Sequence, residues 1–154
     1  MKKLKAILAG AFLTLCASIS AAQEKTTFNE TDYNKPKLFA DLPQKMNLKV
    51  SELQNLFKLS VGTSVNVQAA DNFIFQGTIV SKSDEKDASV KSIVIKSSNR
   101  QGAAFTFTRI TNTDGTYKYA GRVLSFSNGD AYEVVEEKGQ YYLQKKNLHD
   151  LIAE

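Results

Sequence analysis

Apolar and polar residues alternate with a period of two along most of the chain after position 59, which is typical of strands that bury one face. Turn-forming residues divide this alternation into about seven segments. The predicted strands cover 61–67, 73–81, 90–96, 104–110, 117–126, 131–136 and 140–145. The gaps between them are too short for a crossover helix, so consecutive strands are expected to pair antiparallel. We therefore predict a mainly β fold, a single small antiparallel meander that forms a curled sheet or a closed barrel of about seven strands.

A short helix is predicted on each side of the strands. In 50–57 the apolar residues recur at helical spacing, and Ser51 and Gln54 have the spacing of a capping box. The second helix is predicted over 148–153, with Asn147 as its N-cap. The first of these helices is expected to pack against the sheet.

Two of the predicted strands resemble each other in sequence. In Phe73–Ser81 and Tyr117–Ser125, aromatic residues, a glycine and a β-branched residue fall in register on one face. The similarity fits either a duplication or chance. A glycine inside a strand often marks a bend or a bulge. We expect Gly77 and Gly121 to mark bends that curl the sheet, so that a side chain there would meet a forbidden backbone angle or a packed neighbour.

The N-terminus has the three-part pattern of a secretory signal peptide over 1–22, with cleavage between Ala22 and Gln23. Its apolar run is shorter than the roughly 20 residues that a membrane-spanning helix needs, so we expect no such span after cleavage. A lipid anchor on Cys16 is the competing interpretation. Leu15 fits a lipoprotein signal poorly, so this anchor is not expected. The lysine-rich signal is typical of bacteria.

The exported chain is predicted to have two parts. Residues 23–47 are polar and weakly patterned, which predicts a flexible arm, and residues 48–154 form the β-rich globular domain. Leu38 and Phe39 are the alternative feature of the arm, because adjacent apolar residues in a polar segment could anchor it to a partner.

The export signal also accounts for most of the basic charge. The full sequence has 20 Lys and Arg against 16 Asp and Glu, and the signal holds three of the lysines and no acid. The 17 basic and 16 acidic residues that remain give no reason to expect a nucleic-acid partner. Cys16 is the one cysteine, so the exported chain is expected to have no disulfide, no thiol chemistry and no cysteine metal ligand.

No catalytic or cofactor motif emerges from the remaining residues. His149 is the one histidine, and its neighbour Asp150 is expected on another face of the helix. No second base accompanies the hydroxyl residues for a triad. The acidic residues in 84–87 and 133–137 fit a solvated loop and strand surfaces, and the dispersed glycines form no phosphate loop. We expect no enzymatic activity, no metal and no cofactor.

These observations favour a secreted or periplasmic, non-enzymatic binding or accessory module whose partner is a protein of the cell envelope or medium. Two alternatives stay open. One is a protease inhibitor or propeptide-like module that acts on a secreted enzyme by strand addition, and the other is a barrel that carries a small ligand. Tyr142 falls on the polar side of its strand and is a candidate contact residue, together with Leu38 and Phe39.

Overall fold

A computed structural model describes residues 34–83 and 89–152 of the chain. One sheet of eight antiparallel strands curls into a half-barrel in the order β1-β8-β7-β6-β5-β4-β3-β2. The strands are β1 Lys45–Asn47, β2 Ser64–Ala70, β3 Phe73–Lys82, β4 Val90–Ser97, β5 Ala103–Thr111, β6 Tyr117–Ser125, β7 Asp130–Glu137 and β8 Gln140–Asn147. The helices are α1 Val50–Leu56 and α2 Leu148–Ile152, and a 3₁₀ turn covers Phe126–Asn128.

The predicted antiparallel meander with two short helices is confirmed, but the sheet has an eighth strand. The extra strand, β1, pairs with β8 through Met46 and Leu143. The residue that follows it, Leu48, forms an isolated bridge to Ala70 at the other end of the strand order. Strand β1 has only three residues and its partner lies far along the chain, so no local period marks it.

Helix α1 begins without the predicted capping box. Its N-cap is Lys49, with no hydrogen bond from a capping side chain. The Gln54 amide instead donates to the Tyr119 hydroxyl on β6. Leu53 and Leu56 are buried as the helical spacing predicts, so packing against the sheet stabilises this short helix.

The concave face of the sheet is filled by aromatic side chains that touch one another across the strands. Ring centroids of successive members are 5.6–6.5 Å apart, mostly edge to face. In order, the rings are Phe39, Phe73, Phe75, Phe105, Phe107 and Tyr119. Such pairs stabilise a core by about 0.5–1.5 kcal/mol beyond the area that they bury, which suits a chain expected to have no disulfide.

The segment 37–43, which we call the N-terminal segment, is part of this core rather than of a flexible arm. Phe39 is 1% exposed. Its backbone N–H donates to the Asp130 carboxylate at 2.8 Å, and its carbonyl accepts from Lys145 Nζ at 2.7 Å. Arg100 donates to the Leu38 carbonyl at 2.7 Å. The predicted arm over 23–47 is therefore wrong for its last part, because partners far along the chain hold this segment. Residues 23–33 lie outside the described part of the chain.

Removal of residues 23–35 should leave the fold almost as stable as before. Lys35 and Pro36 are exposed, and the core contacts begin at Leu38 and Phe39. We expect the deletion to lower the free energy of unfolding by about 1 kcal/mol or less, a shift of a few degrees in a domain of this size. Thermal unfolding followed by circular dichroism tests this. A loss of folding would show that residues before the N-terminal segment belong to the core.

Tyr132 gives the N-terminal segment a signature in alkaline solution. Its hydroxyl donates to the Pro43 carbonyl. Burial, and then the nearby Asp130 and Asp41 carboxylates, raise the pKa of Tyr132 to about 12, whereas an unfolded tyrosine titrates near pH 10. The folded state therefore holds this proton more tightly. Its contribution to stability is complete below about pH 10 and is lost as the pH rises towards 12.

An ultraviolet absorbance titration measures this difference. We expect a tyrosinate step near pH 12 that disappears in Tyr132→Phe and persists in the matched variant Tyr142→Phe. A titration without any late step would contradict the burial of the Tyr132 hydroxyl against the N-terminal segment.

Gly77 and Gly121 lie where neighbouring backbones come close. A Cβ on Gly77 would lie under 3.0 Å from the Lys96 carbonyl oxygen and 2.9 Å from Cγ2 of Ile95. A Cβ on Gly121 would lie under 3.0 Å from the Thr106 carbonyl oxygen. Neither glycine has a positive φ, so space rather than backbone angle requires glycine. Of the two predicted obstacles, the structure shows the packed neighbour.

Candidate functional site

One end of the half-barrel departs from the apolar pattern of its interior. The ends of β5 and β7 and the beginnings of β4, β6 and β8 meet there. On the core-facing parity of these strands, polar and aromatic residues replace aliphatic ones. We call this group the Arg109 end, and its members are Lys91, Arg109, Tyr117, Tyr119, Glu136 and Tyr141.

Strand parity explains why two cations point towards the interior side. Lys91 is two residues before Ile93, and Arg109 is two residues after Phe107; both apolar residues are fully buried. Successive side chains of a strand alternate between its faces, so each cation shares the face of its buried neighbour. Lys91 and Arg109 are also direct partners across β4 and β5. The register therefore places two like charges opposite each other, an arrangement that destabilises a sheet.

The Arg109 guanidinium lies against aromatic rings and has no ion pair within residues 34–83 and 89–152. Its carbon Cζ is 5.6 Å from the centroid of Phe57 and 4.5 Å from that of Tyr117. Among the described residues, its Nε is buried without a hydrogen-bond acceptor. The rings restrict the guanidinium, and no described residue accepts a hydrogen bond from it.

The tyrosines beside Arg109 are held by hydrogen bonds. Tyr119 stacks on Phe107 with 5.6 Å between the ring centroids. The Tyr119 backbone N–H donates to the Tyr141 hydroxyl at 3.3 Å, and that hydroxyl donates to Glu136 Oε2 at 3.0 Å. Burial is the main cause that raises the pKa of Tyr141. These hydrogen bonds position the rings of Tyr119 and Tyr141 relative to each other.

A surface cleft of about 490 Å³ opens next to these tyrosines. It is lined by Asn47, Leu48, Lys49, Val50, Tyr119, Gly139, Gln140 and Tyr141. Lys49 is paired with Asp71 at 2.6 Å, and this contact is the first cause that holds the pKa of Asp71 below its usual value. The cleft adds aromatic and amide surface to the Arg109 end, while its lysine already has a partner.

The residues predicted as partner contacts are not brought together by the structure. Phe39 is buried in the core, and Leu38 is partly buried against it. Tyr142 is half-buried on the face of β8 opposite to Tyr141. Its ring lies 4.0 Å from Lys45 Nζ, and its hydroxyl donates to Gln140. Phe39 therefore makes intramolecular contacts, and Tyr142 contacts Lys45 on β1 and Gln140 on β8.

Other residues singled out in the sequence lie outside the Arg109 end. Ala22, Gln23 and Cys16 are not among the described residues. His149 has a side chain that is 71% exposed, 4.0 Å from Asp150. Across residues 34–83 and 89–152, no three His, Cys, Asp or Glu side chains are grouped closely enough to hold a metal ion.

Lys91 and Arg109 were not predicted as site residues from the sequence. The signal that could have found them is their parity, since both continue the apolar face of a predicted strand. Within the described part of the chain, no helix is long and apolar enough to cross a membrane. Comparison with models of protein families, with curated proteins and with solved structures gives no match for this chain.

Proposed function

We propose that the chain is an exported, non-enzymatic binding module that contacts a protein partner of the envelope or medium through its Arg109 end. The observation that carries the proposal is the environment of the Arg109 side chain. Its guanidinium lies against two aromatic rings, its Nε is buried without an acceptor among the described residues, and a second cation lies opposite.

This state opposes stability, which is why we attribute it to binding. Leaving a buried polar group unsatisfied costs about 1–3 kcal/mol, and more when the group is charged. Lys91 adds like-charge repulsion across the β4–β5 pair. Apolar residues on this parity would extend the core at no such cost. A partner that supplies negative charge would remove both penalties at once.

The filled interior favours this proposal over a carrier of a small ligand. A barrel that carries a ligand needs free volume among its inward-facing side chains. Here the inward positions of the central strands hold Phe75, Ile95, Phe105 and Phe107, each of them fully buried. The ring contacts between them use the space that a ligand would occupy.

A second candidate function, strand addition to a secreted enzyme, is favoured by the edge of β2. This strand ends the strand order of the described sheet. Ile79 N–H donates to the Thr63 carbonyl, so the alternation of an antiparallel ladder turns the backbone groups of Ser64 and Asn66 away from β3. An extended segment of an inhibited enzyme could pair there. Only this edge supports the inhibitor alternative, so we rank it second.

Site-specific photo-crosslinking in exporting cells tests both candidates. A photoreactive phenylalanine analogue would replace Tyr117 at the Arg109 end, Asn66 at the β2 edge, or Phe126, which is 55% exposed on a turn. We expect one discrete protein adduct from position 117 that disappears when Arg109→Gln is added. An adduct from position 66 alone would contradict the Arg109 end and support strand addition. Equal labelling from all three positions, or none, would contradict both.

A further inference from the structure

We infer that the Arg109 end binds a carboxylate group of an acidic segment of its protein partner. The terminal nitrogens of Arg109 act as a bidentate hydrogen-bond donor, and Lys91 supplies a second positive charge. This inference rests on the proposed function and names the chemistry that the site recognises. It follows from the geometry of the guanidinium, from the charges around it and from the rings that flank it.

The guanidinium geometry is that of a preorganised anion donor. A planar guanidinium matches the two oxygens of a carboxylate and forms paired, charge-assisted hydrogen bonds. Contacts with Phe57 and Tyr117 restrict the side chain, so little conformational entropy is lost on binding. Arg109 has no hydrogen bond to the described residues, and its two terminal nitrogens are not among the buried unsatisfied atoms. Among the described residues they have no acceptor, so they are the donors that a ligand could use.

The charges at this end favour a singly charged carboxylate over a phosphate. Lys91 and Arg109 together carry two positive charges on adjacent strands. Glu136 lies two strands from Arg109 on the same face and keeps its carboxylate there through Tyr141. The formal charges of Lys91, Arg109 and Glu136 sum to +1, which a single carboxylate neutralises and a phosphate dianion would overcompensate. The flanking rings also offer apolar contact to the stem of an aspartate or glutamate.

The described arginines offer a matched control. Arg122 on β6 is already paired with Glu133 at 3.1 Å, so Arg122→Gln removes the same charge and leaves the Arg109 guanidinium unchanged. Arg109→Lys keeps the positive charge at the site and removes the paired donors of the guanidinium. Arg109→Gln removes both.

Nuclear magnetic resonance of the full exported chain provides the test, with the Nε–Hε resonance of Arg109 as reporter. The probe is a blocked triglutamate peptide, and the comparison probes are the matched triglutamine peptide and inorganic phosphate at equal ionic strength. We expect saturable shifts of the Arg109 resonance with triglutamate only. Arg109→Gln and Lys91→Gln should weaken peptide binding at least about tenfold, which corresponds to about 1.4 kcal/mol. Arg109→Lys should weaken it severalfold, and Arg122→Gln less than twofold.

Three results would overturn the inference. The first is equal shifts with triglutamate and triglutamine, and the second is tighter binding of phosphate. The third would come from the acidic residues at 84, 85 and 87. If neutralising them moves the Arg109 resonance of the free protein and their stability effect is not additive with Arg109→Gln, the carboxylate partner lies within the chain itself.

Failure of this inference can be told apart from failure of the proposed function. A peptide that does not bind, together with an Arg109-dependent adduct at position 117, removes the carboxylate chemistry and leaves the binding site. Peptide binding without any adduct at position 117 supports the carboxylate chemistry and removes the proposed contact with a protein partner. If Arg109→Gln does not fold, Lys91→Gln and the resonance shifts of the unmodified protein still decide the outcome.

Discussion

Valine at Gly77 or Gly121 is expected to destabilise the fold by about 3 kcal/mol, the upper end of the usual range for overpacking. At both positions a Cβ would lie under 3.0 Å from a backbone carbonyl oxygen of the neighbouring strand. A carbonyl inside a sheet cannot move aside without breaking its ladder. Valine favours an extended strand more than glycine does, so intrinsic propensity predicts the opposite sign. Urea unfolding of Gly77→Val and Gly121→Val measures the effect.

Ala120→Val is the matched control for this experiment. Position 120 precedes Gly121 on β6, and its half-buried side chain points to the other face of the sheet. Propensity alone should make Ala120→Val neutral or slightly stabilising. If the two glycine variants behave like this control, the close approach of the neighbouring backbone to Gly77 and Gly121 is not what limits these positions.

Phe39→Ala is expected to lower the free energy of unfolding by about 3–5 kcal/mol, as for other fully buried phenylalanines. The ring is 1% exposed and contacts Phe73 and Tyr132 edge to face. Loss of the ring would leave a cavity beside Phe73 and Tyr132 and weaken the packing of the N-terminal segment. Chemical denaturation with circular dichroism gives the value.

Phe126→Ala provides the comparison, because that ring is 55% exposed and its removal should cost less than about 1 kcal/mol. The interpretation of 23–47 as a flexible arm implies equal, small effects for both variants. Similar values for Phe39→Ala and Phe126→Ala would therefore restore the arm and contradict the packed N-terminal segment.

Local pattern accounts for what the sequence predicts well. The seven strands β2 to β8 alternate with clear turns between them, and Leu53 and Leu56 mark helix α1 by their spacing. In these elements the burial of a side chain depends on its near neighbours in sequence, which a period detects. The sequence also identified Gly77 and Gly121 as special positions, because a glycine inside a strand often marks a bend, a bulge or a close backbone approach.

Long-range contacts account for what the sequence did not show. The N-terminal segment is held by Arg100, Asp130 and Lys145, which lie between 62 and 106 positions away along the chain. No local period reports such partners. Met46 is the only buried residue of β1, so that strand carries almost no alternation. The prediction of a flexible arm failed for this segment because distant side chains form hydrogen bonds with its backbone. Polar composition indicates exposure only where such long-range hydrogen bonds are absent.

The candidate site shows a different limit. Lys91 and Arg109 occupy positions on the apolar face of their strands. A search for charged residues at such positions would have found both. The sequence could not show that β4 and β5 place them opposite each other, since this depends on the pairing register. Nor could it show that Phe57, from the segment after α1, lies against the guanidinium.

The Arg109 end is the surface that we propose binds a partner. The affinity of the protein captured through position 117 tests it most directly, measured by calorimetry for the unmodified chain, Arg109→Gln and Arg122→Gln. Our account predicts that the dissociation constant rises at least about tenfold for Arg109→Gln and less than about twofold for Arg122→Gln, whose charge is already paired with Glu133. The same dissociation constant for all three proteins would contradict the claim.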